Sequence, residues 1–197
     1  MVLLKPDSRL TSVGCIIGSG RAGMMGKSVI VFQTVYGNTE RILREIAGAD
    51  ESRVRLVRAG EAGADDLAGA DRIAVGGPIY GGKIHRDIAR FCARYQEALL
   101  SKPLALFIGC LAWTRAAGQL ELAFPRELRE HADFLTTIGG DIDMQRLSGF
   151  ARLAARTVTT SEAERHFSCP EGREKLRSFL NGYEDLPGER GGGNQDG

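Results

Sequence analysis

Apolar residues in this chain fall into short continuous runs, separated by stretches with a helical rhythm. Residues 28–32 (SVIVF) form a β-branched run, residues 54–57 (VRLV) and 71–75 (DRIAV) strand patterns that include charged residues, residues 104–108 (LALFI) a near-continuous run, and residues 134–138 a fifth. All five predict strands, and the near-continuous residues 104–108 one covered on both faces, as in a parallel sheet. Between the runs the spacing changes. Ile42, Leu43 and Ile46 share one helical face, with Thr39 placed to cap the helix and Gly48 to end it. Residues 65–68 suit a short helix, and Ile88, Phe91, Cys92, Tyr95 and Leu99 line one face of a helix over residues 86–100. Residues 119–130 read as helix interrupted at Pro125, which can restart it as a first-turn residue. Pro170, Leu176, Phe179 and Leu180 mark a last helix closing near Gly182. Strands alternating with helices predict right-handed crossovers and an α/β, doubly wound, five-stranded parallel sheet between two helical layers.

The chain ends read differently. Residues 18–23 (GSGRAG) satisfy G-x-G-x-x-G, but they run through Met24 and Met25 into the first strand rather than opening a helix inside a βαβ unit. Residues 1–27 are therefore expected to be a flexible N-terminal extension, or to precede a start at Met24 or Met25. Residues 28–183 are expected to form the domain. Residues 184–197, with Pro187 and three consecutive glycines, are expected to be a disordered tail.

Composition narrows the function classes. A chain of 197 residues with 43% hydrophobic residues has material for one sizeable core. The net charge of +1 gives no general argument for nucleic acid. Cys15, Cys92, Cys110 and Cys169 are scattered, which is poor zinc spacing and no disulfide framework, so reduced thiols in a cytoplasm are the expectation. His131, His166 and Cys169 are too dispersed to argue for a metal. No apolar run approaches the ~18 residues needed to span a bilayer.

In a doubly wound sheet, ligands bind outside the carboxyl ends of the strands at the switch point. The loops after strands one, three and four are the unusual ones here. Thr34-Val35-Tyr36-Gly37-Asn38-Thr39 joins a strand to a helix N-terminus, where unpaired N–H groups and the helix dipole favour an anion such as phosphate. Pro78-Ile79-Tyr80-Gly81 offers a flat ring, and Cys110-Leu111-Ala112-Trp113 holds the chain's only tryptophan. Tyr80 and Trp113 read singly as packing residues, and jointly as the walls of a site for a planar ring. His85 reads either as a proton carrier or as a cap of the helix that follows. Cys110 reads as a modulator of a nearby ring or as a small packing residue.

Residues 34–39 resemble the phosphate loop of flavodoxins. Residues 77–85 (GPIYGGKIH), 124–128 (FPREL) and 139–143 (GGDID) resemble the flavodoxin-like family that includes menaquinone-dependent protoporphyrinogen oxidase. That resemblance covers roughly residues 27–183. It implies a flavodoxin-like three-layer fold with strand order 2-1-3-4-5 and flavin mononucleotide (FMN) as cofactor. The phosphate would lie at residues 34–39 and the ring against residues 78–81 and 110–113. It also implies an organic donor such as protoporphyrinogen and a quinone acceptor. Two features depart from the family. The chain lacks the strong acidity of electron-carrying flavodoxins, and the basic, aromatic segment after strand five is short. That segment, residues 141–156 with Arg146, Arg152 and Arg156, reads as a basic amphipathic helix meeting a membrane surface or an anionic tetrapyrrole, or as an ordinary surface helix or loop. Three functions compete: an FMN-dependent oxidoreductase, a non-catalytic electron carrier that docks redox proteins, and a binding module that has lost the flavin.

Overall fold

The computed structural model describes residues 26–48, 53–110, 113–141 and 166–182. β1 (Ser28–Phe32) is buried from end to end. It pairs in parallel with β2 (Val54–Arg58) on one side and β3 (Arg72–Tyr80) on the other. β3 then turns back through Gly81 and Gly82 into the short antiparallel β4 (Lys83–Ile84). β5 (Leu104–Gly109) pairs in parallel with β3, and β6 (Phe134–Thr137) with β5. The order is β2-β1-β3-β5-β6, which is 2-1-3-4-5 when only the five parallel strands are numbered. β7 (Gly139–Asp141) and β8 (His166–Ser168) form a separate antiparallel pair that the residue pattern did not announce.

Strand alternation divides the core in two. Val29, Val31, Ile73, Val75, Leu104, Leu106 and Ile108 point to one face. There they meet Leu67 of α2 (Ala64–Ala68), Ile88 and Phe91 of α3 (Arg86–Arg94), and Leu99 of α4 (Gln96–Leu100). Ala116 of α5 (Trp113–Ala123) and Leu128 of α6 (Arg126–His131) pack on the same side. Ile30, Phe32, Ala74, Ala105 and Phe107 point the other way. They are covered by α1 (Asn38–Ala47) through Ile42, Leu43 and Ile46, and by α7 (Pro170–Leu180) through Leu176, Phe179 and Leu180. Each fully buried Leu, Ile or Phe contributes about 1.5–3 kcal/mol over leaving it in water. This is the doubly wound, flavodoxin-like α/β fold that pattern and resemblance anticipate. Among the described residues no helix is long and apolar enough to cross a membrane.

Several boundaries move. The third strand, expected over residues 71–75, runs on through Gly76-Gly77-Pro78 to Tyr80. The glycine is required by packing rather than by a turn: a Cβ on Gly76 would lie 2.1 Å from the carbonyl oxygen of Phe107 and 2.5 Å from its ring. The helix expected over residues 86–100 breaks at Tyr95 (φ −113°, ψ 22°), and the apolar stripe carries on into α4. α5 starts six residues before the expected position, at Trp113, and Pro125 is the residue preceding α6 rather than its first turn. Residues 1–25, with the G-x-G-x-x-G motif, residues 142–165, with most of the basic segment, and residues 183–197 lie outside the described residues.

Candidate functional site

The loop after β1 is organised by two side chains. Gln33 Oε1 accepts a hydrogen bond from the Thr34 N–H at 3.0 Å, and its Nε2 donates to Asp87 Oδ2 at 2.9 Å. Thr34 Oγ1 accepts from the Gly37 N–H at 3.0 Å. Gly37 takes the left-handed conformation (φ 84°) that only glycine adopts freely, and it directs the chain into α1. Thr39 was expected to cap α1. It lies instead inside the first turn and is buried, because Gly37 occupies the cap position, and no side chain caps this end. The first-turn N–H groups of a helix have no intrahelical acceptor, so an uncapped end of this kind favours an anion. Val35 projects from the loop, 52% exposed.

The β3–β4 hairpin supplies the second wall. Gly81 and Gly82 both have positive φ (56° and 77°), the geometry of a two-residue turn that suits twisted strands. Pro78 is buried, Ile79 packs on the core, and Tyr80 is 44% exposed. The Tyr36 and Tyr80 rings meet edge to face with centroids 6.5 Å apart. Loss of hydration, and secondarily Tyr36, pushes the Tyr80 phenol up to about 12, so it stays protonated and able to donate.

The third wall is the end of β5. Cys110 is 4% exposed, and its Sγ lies 3.3 Å from Thr137 Oγ1, which also accepts from the Gly139 N–H at 3.3 Å. This is the packing reading of Cys110. Leu111 and Ala112 lie outside the described residues, and Trp113 is placed only as the residue that opens α5. At Gly109 the three walls meet. A Cβ built there would be 3.4 Å from the Gly139 carbonyl oxygen, 3.7 Å from Pro78 Cα and 3.9 Å from Thr39 Oγ1.

His85 takes the capping role: it precedes α3, and its Nδ1 accepts from the Asp87 N–H at 3.3 Å, with Asp87 Oδ2 3.6 Å away. His131 bonds to the Lys102 carbonyl, and among the described residues no cluster could hold a metal. Sequence reasoning missed Gln33, Asp87 and Thr137. Thr137 was reachable from its place at the carboxyl end of the fifth strand; the Gln33–Asp87 bridge had no local signal. An open cleft of about 270 Å³ between α5, β6 and α7, lined by Leu120, Cys169 and Lys175, shares Thr137 with this region but lies apart from the loop after β1.

The family model of the flavodoxin domain matches residues 29–168. The chain belongs to the flavodoxin domain family. Solved flavodoxin structures align with it. Two-electron reduced Megasphaera elsdenii flavodoxin is 27% identical, with 57% of this chain and 82% of that one covered and a TM-score of 0.40. A WrbA-like flavodoxin protein of Agrobacterium tumefaciens is 19% identical, with 72% and 99% covered and a TM-score of 0.44. A Fusobacterium nucleatum flavodoxin mutant, solved bound to flavin mononucleotide, is 13% identical, with 60% and 72% covered and a TM-score of 0.38. No curated protein matches the chain. In this flavodoxin domain residues 34–39, 78–81 and Cys110 lie at the carboxyl ends of β1, β3 and β5.

Proposed function

We propose that the chain is an FMN-dependent oxidoreductase. The observation that carries the reading is the meeting of three loops at Gly109, where any side chain would narrow the space between Thr39, Pro78 and Gly139. The residues present fit the group. The left-handed Gly37 and the uncapped N-terminus of α1 suit a phosphate, with Thr34, Val35, Tyr36, Gly37, Asn38 and Thr39 as its cradle. The exposed Tyr80, braced by Tyr36, suits one side of a planar ring, together with Pro78, Ile79 and Gly81. The resemblance implies that Cys110, Leu111, Ala112 and Trp113 contact the ring as well. FMN, when bound, supplies the hydride and electron chemistry. The protein's share is orientation, exclusion of water, and a protonated Tyr80 hydroxyl at the rim.

The resemblance of residues 77–85, 124–128 and 139–143 to menaquinone-dependent protoporphyrinogen oxidase supports a donor of the protoporphyrinogen type and a quinone as acceptor. An anaerobic assay of the FMN-loaded protein with protoporphyrinogen and a menaquinone analogue tests this. Turnover no faster than with free FMN sinks it. The carrier reading is favoured by a different observation, a row of exposed arginines on α3 that begins beside the β3–β4 hairpin. A redox titration that shows only a single two-electron step counts against the carrier. A colourless protein that fails to bind added FMN removes both readings.

A further inference from the structure

We propose that the outer face of α3, with Lys83 at its head, is the docking surface for an acidic redox protein. The inference rests on the flavin reading above, which enzyme and carrier share. Arg86, Arg90 and Arg94 recur every four residues and so stand in one row along the helix. All three are exposed, the Arg86 and Arg90 side chains at 79% and 74%. The row is about 12 Å long at the α-helical rise, and the exposed Ala89 and Ala93 keep its neighbourhood low. It starts at the candidate site, because Lys83 pairs with Tyr80 across the hairpin.

The row is anomalous within this molecule. Elsewhere five basic helix residues are matched to acids one turn away, Arg41 with Glu45, Arg44 with Glu40, Arg126 with Glu130, Lys175 with Glu171 and Arg177 with Glu174, while Arg129 and Arg173 donate to the carbonyls of Phe124 and Ile138. On α3 the residue four places after an arginine is another arginine, and like charges at that spacing repel. Asp87 is the only acid on α3. It comes no nearer than 3.8 Å to Arg86 and 3.9 Å to Arg90, and it already accepts from Gln33. The next acid along the chain is Glu97 on α4. A helix that sets like charges at the spacing its neighbours use for ion pairs, with only long contacts to Asp87 and the Tyr95 ring, 5.3 Å from Arg94, in return, points to a role outside the chain.

The chemistry of the face selects a protein. A membrane-lying helix needs apolar side chains to insert, and those of α3, Ile88, Phe91 and Cys92, are committed to the core. A small anion is held by groups that converge in a concavity, whereas these stand in line along a convex helix. An acidic protein surface matches a long, low row of cations, and such charges steer encounter more than they tighten the final complex.

Titration calorimetry of the full chain, FMN-loaded, with an acidic iron–sulfur ferredoxin as the probe tests the proposal. The wild type is expected to bind at low salt and to lose about tenfold or more in affinity once salt shortens the screening length to a few ångströms. R86E/R90E is expected to weaken binding by at least about tenfold, and R126E on α6 to change it less than about twofold. Absence of salt-sensitive binding by the wild type, or undiminished binding by R86E/R90E, overturns the proposal. So does capture of the wild type but not R86E/R90E by phosphatidylserine vesicles, which would give the row to a membrane. Self-association lost in R86E/R90E would likewise overturn it, by giving the row to a second copy. The visible spectrum is read separately: a colourless wild type removes the flavin reading, while calorimetry still decides the docking face.

Discussion

Tyr36 and Tyr80 come from loops far apart in sequence, yet their rings stand at 80° to one another with centroids 6.5 Å apart. Such a pair contributes about 0.5–1.5 kcal/mol beyond area burial. Tyr80→Ala removes both the brace and the exposed ring face. FMN affinity, read by quenching of flavin fluorescence, is expected to fall about fivefold or more, corresponding to about 1 kcal/mol. Tyr80→Phe keeps the ring and is expected to bind FMN within about twofold of the wild type. Equal affinity in Tyr80→Ala would remove Tyr80 from the ring site.

Glycines separate by what surrounds them. A Cβ on Gly76 would collide with the Phe107 backbone, so Gly76→Ala is expected to cost about 3 kcal/mol, at the upper end of ordinary overpacking, and to lower the urea midpoint. Gly118 lies within α5 with nothing inside 4 Å of its Cβ position. Gly118→Ala is expected to stabilise by about 0.5–1 kcal/mol through helix propensity. A neutral or stabilising Gly76→Ala would mean that β3 and β5 do not pack as described, and a destabilising Gly118→Ala that the α5 surface is covered there.

Gly37 has open space around its Cβ position but a left-handed backbone. Gly37→Ala is therefore expected to cost about 1–2 kcal/mol, through strain alone. Gly37→Asn should cost less, since asparagine enters that region more readily. If the loop holds phosphate, the same ranking should appear in FMN affinity. Affinities that ignore the ranking would dissociate the loop from the cofactor.

Glu40 gives the chain a defined acid sensitivity. A hydrogen bond from Arg44 is the largest influence; burial opposes it, and the charge and hydrogen bond of Arg58 add to the lowering, so the carboxyl is held below the ordinary value of 4.5. A carboxyl depressed in the folded state adds stability above its unfolded pKa and loses it as pH falls through the folded one. Glu40→Gln is expected to be about 0.5–1 kcal/mol less stable than wild type near neutrality. That gap should close as pH drops below 4.5. Chemical denaturation of both proteins across that range checks the sign; a gap that widens in acid would refute the assignment.

The parallel strands and most helices were legible because burial on both faces leaves continuous apolar runs, as in residues 28–32 and 104–108. What escaped depends on contacts remote in sequence. Gly76 looks like a strand breaker until Phe107 is seen against it. Thr39 looks like a cap, the preferred residue type, but the left-handed Gly37 takes that position. Tyr95 continues the apolar rhythm of α3 while its backbone leaves the helical region. At the site, residue types and switch-point logic were enough to choose the loops. They were not enough to show that Cys110 would turn to Thr137, or that His85 would turn to the backbone of Asp87.

The Gln33 side chain holds Thr34 with its oxygen and Asp87 with its nitrogen. The residue that shapes the anion loop is thereby tied to the first turn of the arginine-bearing helix. Order imposed at one end is communicated to the other through a single amide. Occupancy of the loop should accordingly slow amide exchange at the start of α3, and Gln33→Leu should abolish that protection while leaving the sheet's own exchange unchanged.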